Sequence, residues 1–169
     1  RKSTEYIHSL FEMDGNDGHI GLSETFVPGK VILDLGSGRA AALMQLSMQY
    51  PGAIILGIDK LYHEEKTFEF NQSGLQLSKG DFFDLSNIPT QSVDTIITMQ
   101  GLLTHGPDDL GSESSKKIFN ELYRMLKPGG ECRLDGLTPS NNKKELLDIV
   151  FKDRFLWEIK ENFLYLKKI

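Results

Sequence analysis

The sequence predicts an α/β fold: a three-layer sandwich on a mostly parallel seven-stranded sheet with an antiparallel C-terminal strand. Two observations carry that expectation. Short apolar, β-branched runs alternate with stretches of helical periodicity, the pattern of a parallel sheet joined by right-handed crossovers. The end of the chain then breaks the alternation. Phe155 to Lys160 and Phe163 to Lys168 both read as strands around Glu161-Asn162, a hairpin that sets an antiparallel strand into the sheet.

Taken in order, Thr4 to Met13 reads as a helix with Ile7, Leu10 and Phe11 on one face, followed by the turn-rich Asp14-Gly15-Asn16-Asp17-Gly18. Val31-Ile32-Leu33 is the first buried strand. Ala40 to Tyr50 has helical spacing at Ala40, Leu43, Met44 and Met48, and Pro51-Gly52 stops it. Ala53 to Ile58 is the second strand, Tyr62 to Gln72 a helix ended by Ser73-Gly74, and Leu75-Gln76-Leu77 the third strand. Val93 to Thr98 is the fourth. An amphipathic helix over Ser115 to Leu126 ends at Lys127-Pro128-Gly129-Gly130, and Glu131 to Leu137 is the fifth strand. Pro139-Ser140-Asn141 caps a helix that runs to about Phe151. Residues 1–29 stand apart from 30–169, which form one domain.

Composition narrows the function classes. At 169 residues, with 39% hydrophobic and 25% charged residues, the chain has the makings of one ordinary globular domain. A net charge of −5, with basic residues in isolated pairs, argues against a nucleic-acid partner. A single cysteine, Cys132, excludes an internal disulfide or a cysteine cluster for zinc, which fits a cytoplasmic location. No apolar run is long enough to cross a bilayer. The chain opens on Arg1 rather than Met, as a piece of a longer protein would. No metal site is expected: in Asp14-Gly15-Asn16-Asp17-Gly18 the glycine of a calcium loop would fall at His19 and its final Glu at Thr25.

The chemistry concentrates in Val31-Ile32-Leu33-Asp34-Leu35-Gly36-Ser37-Gly38-Arg39-Ala40, a strand, a glycine turn and a helix start. Glycines let the backbone bend and approach a ligand, and the helix N-terminus favours negative charge. About twenty residues on, Asp59 ends the second strand, the place from which a carboxylate accepts hydrogen bonds from ribose hydroxyls. Together these imply an adenosine-type ligand across the strand ends. Asp34 selects among such ligands. Beside a pyrophosphate it would set like charges about 4 Å apart, costing about 4 kcal/mol at an effective dielectric of about 20. A ligand carrying an ammonium and a sulfonium is favoured instead, so the charges point to S-adenosylmethionine (SAM) over a nicotinamide dinucleotide.

From Lys30 to Ile169 the chain resembles the class I, Rossmann-like SAM-dependent methyltransferases. The resemblance lies in Leu33-Asp34-Leu35-Gly36-Ser37-Gly38, Gly57-Ile58-Asp59, Gly80-Asp81-Phe82, Val93-Asp94-Thr95-Ile96-Ile97 and Leu126-Lys127-Pro128-Gly129-Gly130, in that order and spacing. It implies that Asp34, Gly36, Ser37 and Gly38 line the methionine end of the cofactor. It implies further that Asp59 holds the ribose, that Lys60 or Leu61 covers an adenine face, and that Asp81 accepts from the adenine amino group while the Phe82 backbone reads the ring. Thr98, Met99 and Gln100 would lie beside the sulfonium, and residues 1–29 would act as a lid. The chain departs from the motif at its third glycine, which is Ala40.

His105, in the loop from Gly101 to Pro107 after the fourth strand, is the candidate general base, against a plainer role holding the loop. Because methyl transfer is an in-line displacement from an activated leaving group, alignment alone supplies much of the rate, and a base is needed only for some acceptors. The expected function is methyl transfer to a small molecule. The alternatives are a non-catalytic SAM-binding subunit or sensor and, further off, an NAD-dependent oxidoreductase.

Overall fold

The computed structural model describes residues 7, 8, 10, 11, 21–98, 113–135, 144–160 and 163–169. In chain order these form α1 (Leu22–Thr25), β1 (Val31–Leu35), α2 (Ala41–Gln49), β2 (Ile54–Asp59), β3 (Gly74–Lys79), β4 (Val93–Thr98), α3 (Glu113–Met125), β5 (Leu126–Leu134), α4 (Lys144–Phe151), β6 (Phe155–Lys160) and β7 (Phe163–Lys168). Ile7, His8, Leu10 and Phe11 are helical, as their spacing leads one to expect.

The strands form one seven-stranded sheet in the order β3-β2-β1-β4-β5-β7-β6. β1 pairs in parallel with β2 and β4, and β7 runs antiparallel between β5 and β6. The chain steps outward from β1 to β2 and β3, then returns to lay β4 on the other side. That reversal places a crevice at the carboxyl ends of β1, β2 and β4.

The two-residue alternation of β-structure sorts side chains onto two faces. Ile32 and Ile55 join one buried cluster with Ile7, Leu10, Phe11, Phe26 and the inward residues Leu43 and Leu46 of α2. Val31, Leu33, Leu35, Leu56 and Ile58 join the other, with Ile118, Phe119 and Leu122 of α3 and Leu147 and Phe151 of α4. Cys132, in the middle of β5, belongs to this second cluster.

Three sequence expectations are corrected here. Residues 60–73, all of them described, contain no helix. Phe68 and Phe70 sit two residues apart and pack on the second face, Phe68 inside the core and Phe70 against it; a helix would turn them nearly opposite. The backbone runs beside β3 instead: the Lys79 amide donates to the Glu64 carbonyl at 2.7 Å, Ser78 Oγ accepts from the Lys66 amide, and the Gln76 amide group serves Glu69 and Gln72. This strap shields the edge of the sheet, which otherwise presents unpaired backbone groups. The second correction lies in α2, whose inward residues are Ala42, Leu43 and Leu46, while Met44 and Met48 are exposed. The strand after α3 also begins earlier than expected, at Leu126, and its register shifts opposite Val93 to Thr95.

Candidate functional site

The glycine turn after β1 is joined to the end of β2 by a set of short hydrogen bonds. Gly36 and Gly38 adopt φ of 73° and 61°, the left-handed region that glycine enters without a Cβ penalty. Bent this way, the Gly36 and Ser37 amides both donate to the Ile58 carbonyl, at 2.8 and 3.0 Å. The Gly38 amide donates to Asp59 Oδ2 at 2.8 Å, and the Leu61 amide to Oδ1 at 2.8 Å. Gly57 makes room for this arrangement: a Cβ there would stand 2.9 Å from Ser37 Oγ and 2.7 Å from Leu77.

Asp34 lies in register with Gly57 on one side and Ile97 on the other, fully buried, two residues before the turn. By the alternation of the strand it shares the face of Ile32, Gly57 and α2. One further member of this group was not expected. The Tyr62 hydroxyl lies 2.5 Å from Ser37 Oγ, and its ring packs half-buried against the first cluster. Burial, and then the negative charges of Asp59 and Asp34, raise its pKa above the ordinary tyrosine value, the Ser37 hydrogen bond opposing them.

A cavity of about 260 Å³ opens at the carboxyl ends of β2 and β3, lined by Ile58, Lys60, Glu65, Lys79, Gly80 and Asp81 among others. Asp81 Oδ1 accepts from the Phe83 amide at 3.0 Å, leaving lone pairs for a ligand donor. Phe82 is half-buried against the core and Phe83 exposed.

The structure thus brings together Asp34, Gly36, Ser37, Gly38 and Asp59, with Lys60 and Asp81 at the adjoining cavity. Met99 and His105 lie outside the described residues. Thr98, the last residue of β4, is buried, and its Oγ1 has no hydrogen-bond partner among the described residues. Tyr62 escaped sequence reasoning because it was read as the start of a helix; a phenol folding back on a turn 25 residues away leaves no periodic signal. Burial and the neighbouring Glu131 push the Cys132 thiol well above the ordinary range, which disfavours the thiolate. Among the described residues no group of His, Cys, Asp or Glu has the placement to hold a metal ion, and no described helix is long and apolar enough to cross a membrane.

The residues present fit a nucleoside bearing a cationic amino-acid tail. A Cβ on Gly38 would meet nothing within 4 Å, so the turn faces open space. Asp59, already engaged by two amides, retains lone pairs for two hydroxyls, since a carboxylate offers about four acceptor sites.

Comparison with known proteins places the chain and its fold in a class. The family described as "Methyltransferase domain" matches residues 26–167, and the chain belongs to it. It is 31% identical over 121 residues to a sterol 24-C-methyltransferase of Pneumocystis carinii, an alignment covering 66% of this chain and 28% of that protein. The chain therefore spans little more than a quarter of the length of that curated relative. Among solved structures, a SAM-dependent methyltransferase from Aquifex aeolicus superposes with a TM-score of 0.57 at 15% identity, covering 98% of this chain and 97% of that one. The aminoglycoside resistance methyltransferase NpmB1 gives 0.61 at 15% identity, over 87% and 91%. The mostly parallel sheet with its antiparallel strand is the fold these proteins share.

Proposed function

We propose that this domain binds SAM across the carboxyl ends of β1 and β2 and transfers its methyl group to a small molecule. One observation carries the reading: the Asp59 carboxylate at the end of β2 closes onto the Gly38 amide of the glycine turn, with Asp34 buried beneath. An acid on either side of the turn favours a cationic nucleoside and opposes a pyrophosphate. Bound SAM supplies an activated methyl group on a sulfonium.

The chain's own residues bind and orient. Asp59 accepts from the ribose hydroxyls, the first amides of α2 hold the amino-acid carboxylate beside the glycine turn, and Asp34 favours the adjacent positive charge. Lys60 and Asp81, lining the cavity of about 260 Å³, hold the adenine end, with the Phe82 backbone beside it. Met99 lies next to the sulfonium in this reading, and His105 takes a proton where the acceptor must lose one. A lid role for the segment 1–29 belongs to the same reading; its Ile7, Leu10 and Phe11 are part of the first buried cluster.

A small-molecule acceptor is supported by the acidic balance of the chain and by the sterol acceptor in the name of its Pneumocystis carinii relative. The reading includes a cytoplasmic location. The test is thermal melting with SAM, S-adenosylhomocysteine and NAD, followed by methyl transfer from labelled SAM to a panel of metabolites and to RNA. SAM and S-adenosylhomocysteine should raise the melting temperature and NAD should not. Protection by NAD alone overturns the cofactor assignment, and transfer to RNA alone overturns the acceptor class.

A further inference from the structure

We infer that Tyr62 is a positioning residue for the amino-acid end of the cofactor, acting through Ser37 to hold the glycine turn in its ligand-ready shape. The inference rests on the SAM reading of the site and names a residue that reading does not use.

Its ground is the path of the hydrogen bonds. Ser37 lies between the two left-handed glycines, and its buried side chain enters a space that Gly57 leaves open. There Ser37 Oγ is 3.4 Å from the Ile58 carbonyl and 2.5 Å from the Tyr62 hydroxyl. A serine hydroxyl has one proton to give. The arrangement that satisfies all three groups has Tyr62 donating to Ser37 and Ser37 donating to the Ile58 carbonyl. That same carbonyl accepts the Gly36 and Ser37 amides, so the phenol is the outer end of a chain that terminates inside the turn.

The chain needs a protonated phenol, and the surroundings keep it so. Tyr62 is half-buried, and Asp59 and Asp34 both bring negative charge towards it, all of which oppose ionisation. The phenol reaches the turn from close by, since the Tyr62 amide donates to the Asp59 carbonyl at 3.3 Å just past the end of β2. A turn pinned from behind needs no ordering when the ligand arrives, and that saving appears as affinity.

The prediction is selective. Tyr62→Phe keeps the ring and its packing but removes the donor. It should weaken S-adenosylhomocysteine about tenfold, the scale of one net hydrogen bond, and leave 5′-methylthioadenosine, which lacks the amino-acid end, nearly unchanged. Ser37→Ala should do the same, and the double variant should lose no more than either single one, because both break one chain. The test is calorimetric titration of the four proteins with both ligands, alongside their melting temperatures without ligand. If the original protein binds neither ligand, the SAM reading itself fails. If it binds S-adenosylhomocysteine and Tyr62→Phe binds it equally well, the positioning role is overturned. Equal losses for both ligands, or additive losses in the double variant, also overturn it, since a general structural defect would produce them.

Discussion

The Asp59 carboxylate sits 2.8 Å from the Gly38 amide and so ties the end of β2 to the turn that follows β1. Its other oxygen holds the Leu61 amide at the same distance. The carboxylate is oriented before any ligand arrives, with spare lone pairs facing the crevice. Replacing Asp59 with Ala removes both the acceptor for ribose hydroxyls and the tie to the turn. Charged hydrogen bonds contribute about 1.5–3 kcal/mol each, so SAM affinity should fall by roughly 10- to 100-fold or more. Isothermal titration checks this, and unchanged affinity would remove Asp59 from the ribose site.

Ala40 stands where the motif's third glycine is expected, and the structure shows the consequence. It precedes α2 with φ 60° and ψ 12°, a left-handed conformation that costs a non-glycine residue roughly 1–2 kcal/mol. Substitution by Gly relieves that strain but loses a buried methyl worth about 0.8 kcal/mol and adds freedom to the unfolded chain worth about 0.5–1 kcal/mol. Ala40→Gly should therefore be nearly neutral. Ala42→Gly, also buried but within the helix, has no strain to relieve and should cost roughly 1–2 kcal/mol. Urea denaturation of the two variants separates them; equal destabilisation would mean that Ala40 carries no strain.

These sites were legible in the sequence to different degrees, for physical reasons. The strands announce themselves as β-branched runs between turn residues, and Asp34, Gly36, Gly38 and Asp59 are readable because each sits at or within a few residues of a strand end. Residues 62–72 misled because Glu64, Glu65 and Lys66 are good helix formers, while the two-residue spacing of Phe68 and Phe70 was the signal that prevailed. Arg133 falls in the expected fifth strand, but its role there could not be read. Its partner Leu10 is 123 residues away, and no local pattern encodes such a contact.

Arg133 fixes the N-terminal helical residues to the sheet. Its guanidinium donates to the Leu10 carbonyl at 3.0 Å and lies 4.3 Å from the Phe11 ring centroid. Glu131 pairs with it at 3.2 Å, both side chains almost wholly buried, and the Tyr165 hydroxyl donates to the other Glu131 oxygen at 2.6 Å. Removing one member of a buried pair strands the other, at about 3–5 kcal/mol. Arg133→Met should lose about that much stability. Amide exchange should rise first at residues 7–11, ahead of β1 and β4. Uniform loss of protection across the sheet would show that Arg133 supports the core at large rather than this cover.

Lys168 offers a pH-dependent test. Its residue is buried, and its ammonium donates to the Tyr123 and Leu126 carbonyls, both at 2.8 Å, at the end of α3, 4.2 Å from the Tyr123 ring centroid. Burial lowers its pKa below the ordinary lysine value of 10.5. Between that lowered value and 10.5 the unfolded chain binds the extra proton more readily, so stability rises with pH across the window. The contribution is complete above the unfolded value and is lost as pH falls through the folded one. At neutral pH, Lys168→Met should cost about 1–3 kcal/mol, because it leaves the Tyr123 and Leu126 carbonyls without their donor. Urea denaturation from about pH 8 upwards should then show the original protein gaining on the variant as the window is crossed. Parallel curves would place the Lys168 ammonium in an environment no less hydrated than that of the unfolded chain.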